Sequence, residues 1–355
     1  MPEKLHEALL YEPAENKAVQ CRLCARYCKI PDGKRGFCLV RQNQGGKLYS
    51  LSYGKATGLE IDPIEKKPFF HFHPGASRIL SFGTPGCNFR CLGCQNWMLS
   101  QAPRISPDAL SLPSTTPTDI AQAAVRENCE GIAYTYTEPT IFFEYARDTI
   151  LETRKLAPEK FHVFVSNGYF SRECFKQIEK ERLLEAIRVD LKFIDDDKYA
   201  EYTSAHLEPV QESIIRVYNS KPKIHLEVIN LVIPGWNDDE DTLRRTAKWV
   251  AGVGKDIPLH FIRFFPMYEA LHIPPTADES LLKAKKIAED EGIEYAYVGN
   301  TLLPNVEDTK CPRCGKLLIK RVGMGVVENV WDNAGAEEKK SPVCPKCGYA
   351  INIVL

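Results

Sequence analysis

The chain has 355 residues, a length that predicts one large domain with appendages or two to three domains. Apolar residues make up 44% and charged residues 26%, as in an ordinary globular protein, and the net charge of -1 gives no reason to expect nucleic-acid or membrane-surface binding. No apolar run reaches the length of a membrane span, and the first residues lack the apolar segment of a secretory signal. We therefore expect a cytoplasmic protein.

The chain holds thirteen cysteines, and their grouping is more informative than their number. An odd count and a reducing compartment both argue against a disulfide framework. Cys129 and Cys174 stand alone, in amphipathic segments where a buried inert thiol is expected. The others form three groups, which we call the N-terminal quartet, the trio and the C-terminal quartet: Cys21, Cys24, Cys28 and Cys38; Cys87, Cys91 and Cys94; Cys311, Cys314, Cys344 and Cys347. Three metal centres are therefore predicted.

The N-terminal quartet has the spacing C-x2-C-x3-C-x9-C. This irregular spacing suits either zinc or an auxiliary [4Fe–4S] cluster, and zinc is slightly favoured because the turn "PDGKRGFC" resembles a zinc knuckle. His71 and His73 follow in "HFHPG". Alternating histidines in a strand-like segment are more typical of a structural pair than of metal ligands, so we leave them out of the predicted site.

From residue 78 onward the chain alternates strand and helix signals. Several apolar runs are nearly continuous, as expected of parallel strands covered on both faces. Helical patterns lie between them, with Thr118 as a candidate N-cap of the first and Gly292 as the stop of the last. The predicted strands are residues 78–83, 131–136, 161–165, 188–193, 224–233, 258–265 and 294–298. A parallel α/β sheet, doubly wound or curled into a barrel, is predicted over residues 76–300, between modules at 1–75 and 301–355.

The carboxyl ends of these strands are unusually polar. They carry the segments "GTPGC", "TYTEP", "SNGY", "DLKF", "VIPGWND" and "RFFPMY". A single such end would only indicate a turn. Because the carboxyl ends of parallel strands share one edge of the sheet, where chemistry occurs in α/β folds, the six together predict a functional site.

The trio lies in the first of these loops, "GTPGCNFRCLGCQNW", with the spacing C-x3-C-x2-C. Cysteine thiolates hold iron–sulfur clusters, and three thiolates leave one iron of a [4Fe–4S] cluster open to another molecule. A zinc site would need a distant fourth ligand or water, and no histidine stands near the loop in sequence. The trio therefore predicts a [4Fe–4S] cluster with one open iron.

A C-x3-C-x2-C loop after the first strand of a βα domain resembles the signature of the radical S-adenosylmethionine (SAM) superfamily. The resemblance implies a partial (β/α)6 barrel in which the open iron binds SAM and the reduced cluster cleaves it to methionine and a 5′-deoxyadenosyl radical. It also implies SAM-binding roles for rim residues, although "TEP" lacks the double glycine of the family motif. These residues are Glu138 in "TEP" for the methionine amino group, Ser166 and Asn167 in "SNG", Asp190 and Lys192 in "DLK", and, near the adenine, "VIPG" (232–235) and Trp97.

A narrower resemblance covers nearly the whole chain. The stretches "CRLCARYCKIPDGKRGFCLVRQN", "YGKATGLEIDPIEKKPFFHFHPG", "GCNFRCLGCQNW" and "YVGN" look like those of the AmmeMemoRadiSam-system radical SAM enzymes, which are relatives of the pyruvate formate-lyase activating enzymes. This narrower resemblance does not imply a particular reaction; the radical SAM chemistry implies an oxidoreductase that abstracts hydrogen from an unidentified small molecule or protein residue. The implied partners are a low-potential electron donor such as ferredoxin or flavodoxin, a Memo-like protein and an AMMECR-like protein.

Two alternative functions stay open at this point. An activase that abstracts hydrogen from a partner protein's glycine would share the same SAM chemistry. A non-enzymatic electron-transfer or metal-binding module belongs to another class, and the six polar strand ends argue against it because an electron carrier needs no such edge.

The C-terminal quartet consists of two knuckles, "CPRCG" and "CPKCG". Paired C-x2-C motifs that are each followed by glycine predict a tetrahedral zinc ribbon, with a rubredoxin-like iron site as the minor alternative. A tail this short cannot bury a sufficient core alone, so the metal would hold it together. We expect this module to act as a lid or as a docking module.

Overall fold

The structure, a computed structural model, describes residues 5–335, 338–339 and 341–355. Its N-terminal part contains six short strands: β1 (His6–Glu7), β2 (Tyr11–Pro13), β3 (Val19–Cys21), β4 (Lys29–Ile30), β5 (Arg41–Gln44) and β6 (Lys47–Ser50). They form two small antiparallel sheets, with strand orders β1-β6-β5 and β2-β3-β4. Cys21 ends β3, and the other members of the N-terminal quartet lie in the loops on either side of β4.

A sheet of eight strands forms the centre of the protein. Its strands are β7 (Thr57–Asp62), β8 (Ile79–Gly83), β9 (Gly131–Tyr134), β10 (Phe161–Ser166), β11 (Ala186–Asp190), β12 (His225–Val232), β13 (Leu259–Arg263) and β14 (Ala296–Gly299). They follow one another in sequence order across the sheet, and β8 to β14 are parallel. The predicted α/β fold with a partial parallel barrel is thus confirmed.

Strand β7 joins this sheet antiparallel to β8, at the edge, and the sequence did not predict it. Its central residues are exposed, so it lacks the continuous apolar run that marks its neighbours. Strands β8, β9 and β10, by contrast, are buried along their whole length. Burial on both faces is the expected state of a parallel strand in an α/β fold.

Helices occupy the crossovers between the parallel strands. They are α1 (Trp97–Ser100), α2 (Ala102–Ile105), α3 (Pro117–Arg126), α4 (Phe143–Leu156), α5 (Arg172–Glu181), α6 (Asp196–Thr203), α7 (Glu208–Tyr218), α8 (Glu240–Val253) and α9 (Asp278–Asp290). The prediction of Thr118 as the N-cap of α3 was wrong. Thr116 caps this helix, because its side chain and that of Asp119 bond each other's backbone N–H in a capping box. Among the described residues, no helix is both long and apolar enough to cross a membrane.

The C-terminal part adds a small antiparallel sheet of β15 (Thr309–Lys310), β16 (Leu317–Val322) and β17 (Gly325–Asn329). This module packs on the amino ends of the parallel strands, an edge that we call the base. Asn352 Nδ2 donates to the Asp256 carbonyl just before β13 at 2.9 Å, and Tyr349 Oη donates to Glu294 just before β14 at 2.8 Å. The opposite edge, at the carboxyl ends, we call the rim.

The N-terminal part lies at the rim. Ala25 N donates to Tyr169 O at 2.9 Å, and Ser171 N donates to Leu23 O at 3.2 Å, so the loop after β10 is joined to the quartet segment. The two quartets therefore sit at opposite ends of the parallel strands. The module predicted to be a lid or a docking module lies at the base, away from the rim.

His71 and His73 lie at the base and not at the rim. Both ring nitrogens of His71 have partners at 2.6 Å, the Tyr297 hydroxyl and the Asn352 carbonyl. The ring of His73 stacks on Phe161 with centroids 4.8 Å apart. Through these contacts the two histidines have a structural role, and His71 connects the base to the C-terminal module.

Candidate active site at the rim

The trio occupies the loop between β8 and α1. Its backbone is held from two sides: Leu92 N donates to Tyr202 O at 3.0 Å, and Leu92 O accepts from Glu269 N at 2.9 Å. Gly93 makes this approach possible, because a Cβ atom there would lie 2.2 Å from the Tyr202 hydroxyl oxygen. The loop is thus fixed by its backbone, which leaves the cysteine side chains for ligation.

The electrostatic surroundings of the trio disfavour free thiolates. Burial, followed by the Glu138 carboxylate, raises the pKa of Cys87 well above its ordinary value. Burial likewise raises the pKa of Cys91 to about 12, although the Lys192 ammonium opposes the rise. Thiols in such a setting ionise when a metal centre supplies the positive charge.

The spacing of the trio can be compared with that of a single-metal site. Four thiolates on one zinc, each about 2.3 Å from the ion, lie roughly 3.8 Å apart. Among the described residues, the ligand atoms of the C-terminal quartet all lie within 4.8 Å of one another. The three sulfurs of the trio do not. In a [4Fe–4S] cluster each cysteine binds a different iron, so its sulfurs stand further apart. The trio fits a cluster of this kind.

Glu138 is the most constrained of the predicted SAM-binding residues. Its side chain is fully buried, and its carboxylate accepts hydrogen bonds from Thr140 N (3.0 Å), Thr140 Oγ1 (2.6 Å), Ser166 Oγ (2.8 Å) and Asn167 N (2.7 Å). Burial raises the pKa of Glu138, and these hydrogen bonds offset part of the rise. Three of the four bonds reach Oε1, so Oε2 retains accepting capacity for a further donor.

Asn167 connects this network to the trio. Its side-chain Nδ2 donates to Asn88 Oδ1 at 2.7 Å, and Asn88 directly follows Cys87. Asn88 is fully buried. The sequence reasoning missed it, although an asparagine between two ligating cysteines is a polar residue that needs a partner once it is buried.

The "TEP" loop is joined to the trio loop by two further hydrogen bonds. Asn96 Nδ2 donates to Tyr136 O at 2.7 Å, and Thr137 Oγ1 donates to Thr84 O at 2.9 Å. Tyr136 has φ 64, in the left-handed region that favours glycine. Although "TEP" lacks the double glycine of the family motif, the residue directly before it therefore still has a backbone conformation typical of glycine.

Asp190 and Lys192 lie close to Cys91 of the trio. Asp190 accepts from Lys192 Nζ at 2.9 Å and from Arg188 Nη2 at 2.5 Å. Burial raises the pKa of Asp190, but the two cations outweigh it and leave the pKa below its ordinary value. Because Lys192 also lies close enough to Cys91 to lower its thiol pKa, "DLK" brings a fixed positive charge to the trio loop.

The residues predicted near the adenine form the remaining part of the rim. Trp97 is half-buried and stacks on Tyr268, with ring centroids 5.1 Å apart and planes 15° apart. Ile233 N in "VIPG" donates to Asn237 Oδ1 at 2.6 Å, and Asn237 Nδ2 donates to Lys192 O at 2.9 Å. These bonds tie the turn after β12 to the "DLK" segment.

The structure thus brings Cys87, Glu138, Ser166 and Asn167 into one hydrogen-bonded and electrostatic network, with Asp190 and Lys192 beside Cys91. It does not bring the C-terminal quartet near this site. In that quartet, Cys311 Sγ lies 3.6 Å from Cys347 Sγ, and Cys314 Sγ lies 3.7 Å from Cys344 Sγ.

Comparison with known proteins identifies the class. The family model described as "Radical SAM superfamily" matches residues 82–247, a range that contains the trio and all five predicted SAM-binding residues but neither quartet. The chain belongs to the radical SAM superfamily, and it is an enzyme of that class. The superfamily implies a [4Fe–4S] cluster and SAM as cofactors.

Over its full length, the chain is 41% identical to the uncharacterized protein MJ0808 of Methanocaldococcus jannaschii, in an alignment of 352 residues that covers 99% of this chain and 100% of that protein. Among solved structures, a domain of a pyruvate-formate lyase-activating enzyme from Bacteroides vulgatus matches with a TM-score of 0.41 and 17% identity, over 48% of this chain and 99% of that chain. A radical SAM methyltransferase from Sphaerobacter thermophilus matches with a TM-score of 0.47 and 14% identity, over 67% of this chain and 70% of that chain.

Proposed function

We propose that this enzyme belongs to the AmmeMemoRadiSam-system branch, that it cleaves SAM reductively at the rim, and that it abstracts a hydrogen atom from a substrate bound there. The observation that carries the proposal is the network joining Cys87, through Asn88 and Asn167, to Glu138. A cluster on the trio and a methionine ammonium at Glu138 would be held in one fixed relation by these bonds. The full-length resemblance of the sequence to that branch supports the narrower assignment.

The proposed roles of the chain's own residues follow from their surroundings. The trio would hold the [4Fe–4S] cluster, which supplies the electron that splits SAM into methionine and a 5′-deoxyadenosyl radical. Glu138 would accept a charge-assisted hydrogen bond from the methionine ammonium, an interaction worth about 1.5–3 kcal/mol. Ser166 and Asn167 would orient the Glu138 carboxylate, because both donate to it.

Lys192 and Asp190 would hold a positive charge, that of the Lys192 ammonium, beside Cys91. The Lys192 ammonium is held by Asp190, and burial of both groups strengthens their attraction. A positive charge beside Cys91 favours the thiolate over the thiol. We assign to the Lys192 ammonium the task of offsetting part of the rise in the Cys91 pKa that burial causes.

Replacing Cys87, Cys91 and Cys94 together with Ala tests the reaction. We expect the reduced variant to form no 5′-deoxyadenosine from SAM, while reduced wild-type protein does. Cys129→Ala is the control, because Cys129 is a buried thiol outside all three groups. Formation of 5′-deoxyadenosine by the triple variant would overturn the proposal.

Glu138→Gln tests the SAM site. The glutamine removes the charge and turns one acceptor into a donor, facing groups that already donate to it. We expect SAM to bind about tenfold more weakly or worse in an equilibrium titration of the iron-loaded protein, since about 1.4 kcal/mol is one decade in affinity. Glu130→Gln is a matched control, because Glu130 also accepts from a backbone N–H, that of Ser77 at 2.9 Å, but lies near the base end of β9. Equal SAM affinity in the two variants would place the ammonium elsewhere.

We also propose zinc at the C-terminal quartet. The Sγ–Sγ distances of 3.6 and 3.7 Å support it, because they match the roughly 3.8 Å edge of four thiolates around one zinc ion. Such a closed site has no open coordination position, so its role is to hold the module folded.

The proposed partners are a low-potential electron donor of the ferredoxin or flavodoxin class and the Memo-like and AMMECR-like proteins. The reductive step requires the first of these. The sequence resemblance supports the other two, and the C-terminal module at the base is a surface on which they could dock without covering the rim.

A further inference from the structure

The N-terminal quartet surrounds a cavity instead of closing on a point. All four cysteines line one small pocket. Cys21 and Cys38 are buried, and Cys24 and Cys28 are partly exposed. The site is therefore enclosed on the protein side and reaches the surface through the loop between β3 and β4.

The sulfurs of this quartet are too far apart for a single ion. In the described part of the chain, the four sulfurs of the C-terminal quartet all lie within 4.8 Å of one another. No three sulfurs of the N-terminal quartet lie that close together. A tetrahedron of thiolates on one zinc has edges of roughly 3.8 Å. Four thiolates on four different irons need the wider spacing.

A buried arginine supports the same inference. Arg41 lines the cavity, is 1% exposed, and uses one nitrogen to bond Glu144. Its Nε and Nη1 are buried without a hydrogen-bond partner. Two unpartnered guanidinium nitrogens at the wall of a pocket point to an acceptor inside it, and cluster sulfides and thiolates are such acceptors.

The cavity shares a wall with the trio. Asn88 lines it and directly follows Cys87, and Arg26 Nε, from the quartet segment, donates to Asn88 O at 2.9 Å. On the other side of the wall, a Cβ on Gly86 would lie 2.7 Å from Val40 Cγ1 and 3.1 Å from the Cys38 carbonyl oxygen. The loops of the two cysteine groups are thus in direct contact.

We propose that Cys21, Cys24, Cys28 and Cys38 hold a second [4Fe–4S] cluster, beside the one at the trio. The site lies beside the proposed SAM chemistry, on which its electron-transfer role rests, and the cluster replaces the zinc that the knuckle-like turn slightly favoured. With four thiolates on four irons, the cluster has no open position for SAM or substrate. Its chemistry is to accept one electron from a ferredoxin- or flavodoxin-class reductant at its partly exposed side and to pass that electron to the trio.

The variant that tests this leaves the quartet intact. Protein with Cys87, Cys91 and Cys94 changed to Ala is reconstituted anaerobically with iron and sulfide, and its metals are counted beside those of wild type. We expect about eight irons per chain in wild type and about four in the variant, because each cluster contributes four. Both should hold about one zinc, at the C-terminal quartet. A variant with no iron and about two zinc ions would overturn the proposal.

Electron paramagnetic resonance of the reduced triple variant gives a second readout. A cluster with four thiolate ligands should give a signal that does not change when SAM is added, whereas part of the wild-type signal should change. A variant signal that responds to SAM would reveal an open iron and overturn the four-thiolate assignment. Equal iron in wild type and variant, by contrast, would count against the cluster at the trio and not against this one.

Discussion

The two quartets contain the same ligands in the same number, yet they form different sites. The C-terminal quartet lies at the base, with sulfurs 3.6 and 3.7 Å apart in two of its pairs. The N-terminal quartet lies at the rim, where all four cysteines line one small pocket. The difference teaches that the spacing of sulfurs in space, and not the count of cysteines, indicates whether one ion or a cluster is bound.

Local backbone geometry explains the difference. In the C-terminal quartet each knuckle repeats one arrangement: Gly315 N donates to Cys311 O, and Gly348 N donates to Cys344 O, both at 2.9 Å. Both glycines have positive φ, 71° and 69°. In the N-terminal quartet, no glycine directly follows a cysteine. Its turns are of another kind: Tyr27 N donates to Cys24 O at 3.0 Å, and the left-handed residue after Cys38 is Leu39, with φ 61.

The largest expected effect is on the C-terminal quartet. Cys344→Ala with Cys347→Ala should remove about one zinc per chain and leave iron unchanged. The module should open locally, because structural zinc contributes about 10–16 kcal/mol to folding in comparable small domains. Metal analysis and hydrogen exchange in β16 and β17 measure both effects, with Cys174→Ala as a control that removes a lone buried thiol. Iron lost together with the zinc would show that the two quartets do not differ as proposed.

Arg41→Met should produce the next largest effect. It leaves the Glu144 carboxylate buried without its cation, a loss of about 3–5 kcal/mol in the free energy of unfolding. It also removes the two unpartnered guanidinium nitrogens from the wall of the pocket. We expect iron to fall to about half of the wild-type content of two clusters.

Arg321→Met is the matched control for that prediction. Arg321 is a buried arginine at the base, where it donates to the Glu307 and Phe70 carbonyls at 2.9 and 2.6 Å. The substitution should also destabilise the protein, but it should leave iron unchanged. If both variants lose iron equally, Arg41 has no special relation to the N-terminal quartet.

Gly86→Ala should have the smallest effect. Gly86 has φ 101, and its Cβ would meet Val40 at 2.7 Å; Gly33 has φ 72 and nothing within 4 Å of its Cβ. Alanine at either position costs about 1–2 kcal/mol for the left-handed backbone. Only Gly86→Ala should add about 1–3 kcal/mol for forcing the two loops apart. Denaturant unfolding compares the two variants, and equal losses would show that the contact between the loops contributes nothing.

The sequence predicted the parallel strands well, because their burial on both faces leaves nearly continuous apolar runs such as Phe161–Ser166. It did not predict β7, whose pairing with β8 depends on backbone hydrogen bonds rather than on an apolar pattern. At the rim, the motif resemblance predicted Glu138 and Asn167. It did not predict Asn88, because the partner of that side chain is 79 residues away and only the fold brings the two together.

The wide spacing of the N-terminal quartet could not be predicted either. Its cysteines lie within eighteen residues of sequence (21 to 38), but the cavity that they line also includes Asn88 and Ile141. The turn "PDGKRGFC" resembles a knuckle in its letters alone: Gly33 has positive φ, but it lies five residues before Cys38. In the C-terminal quartet, by contrast, Gly315 and Gly348 directly follow Cys314 and Cys347.

The contacts of Arg26 have a consequence for how the protein is assembled during synthesis. Arg26 bonds Asn88 O and also Ser204 O, a residue 178 positions later in the chain. Leu9 N likewise donates to Glu144, 135 positions later, at 2.8 Å. A ribosome makes the N-terminal cysteines first, but Glu144 and Ser204, which hold the N-terminal part in place, are made much later. The N-terminal cysteines therefore cannot reach their folded surroundings until about half of the chain has been synthesised after them.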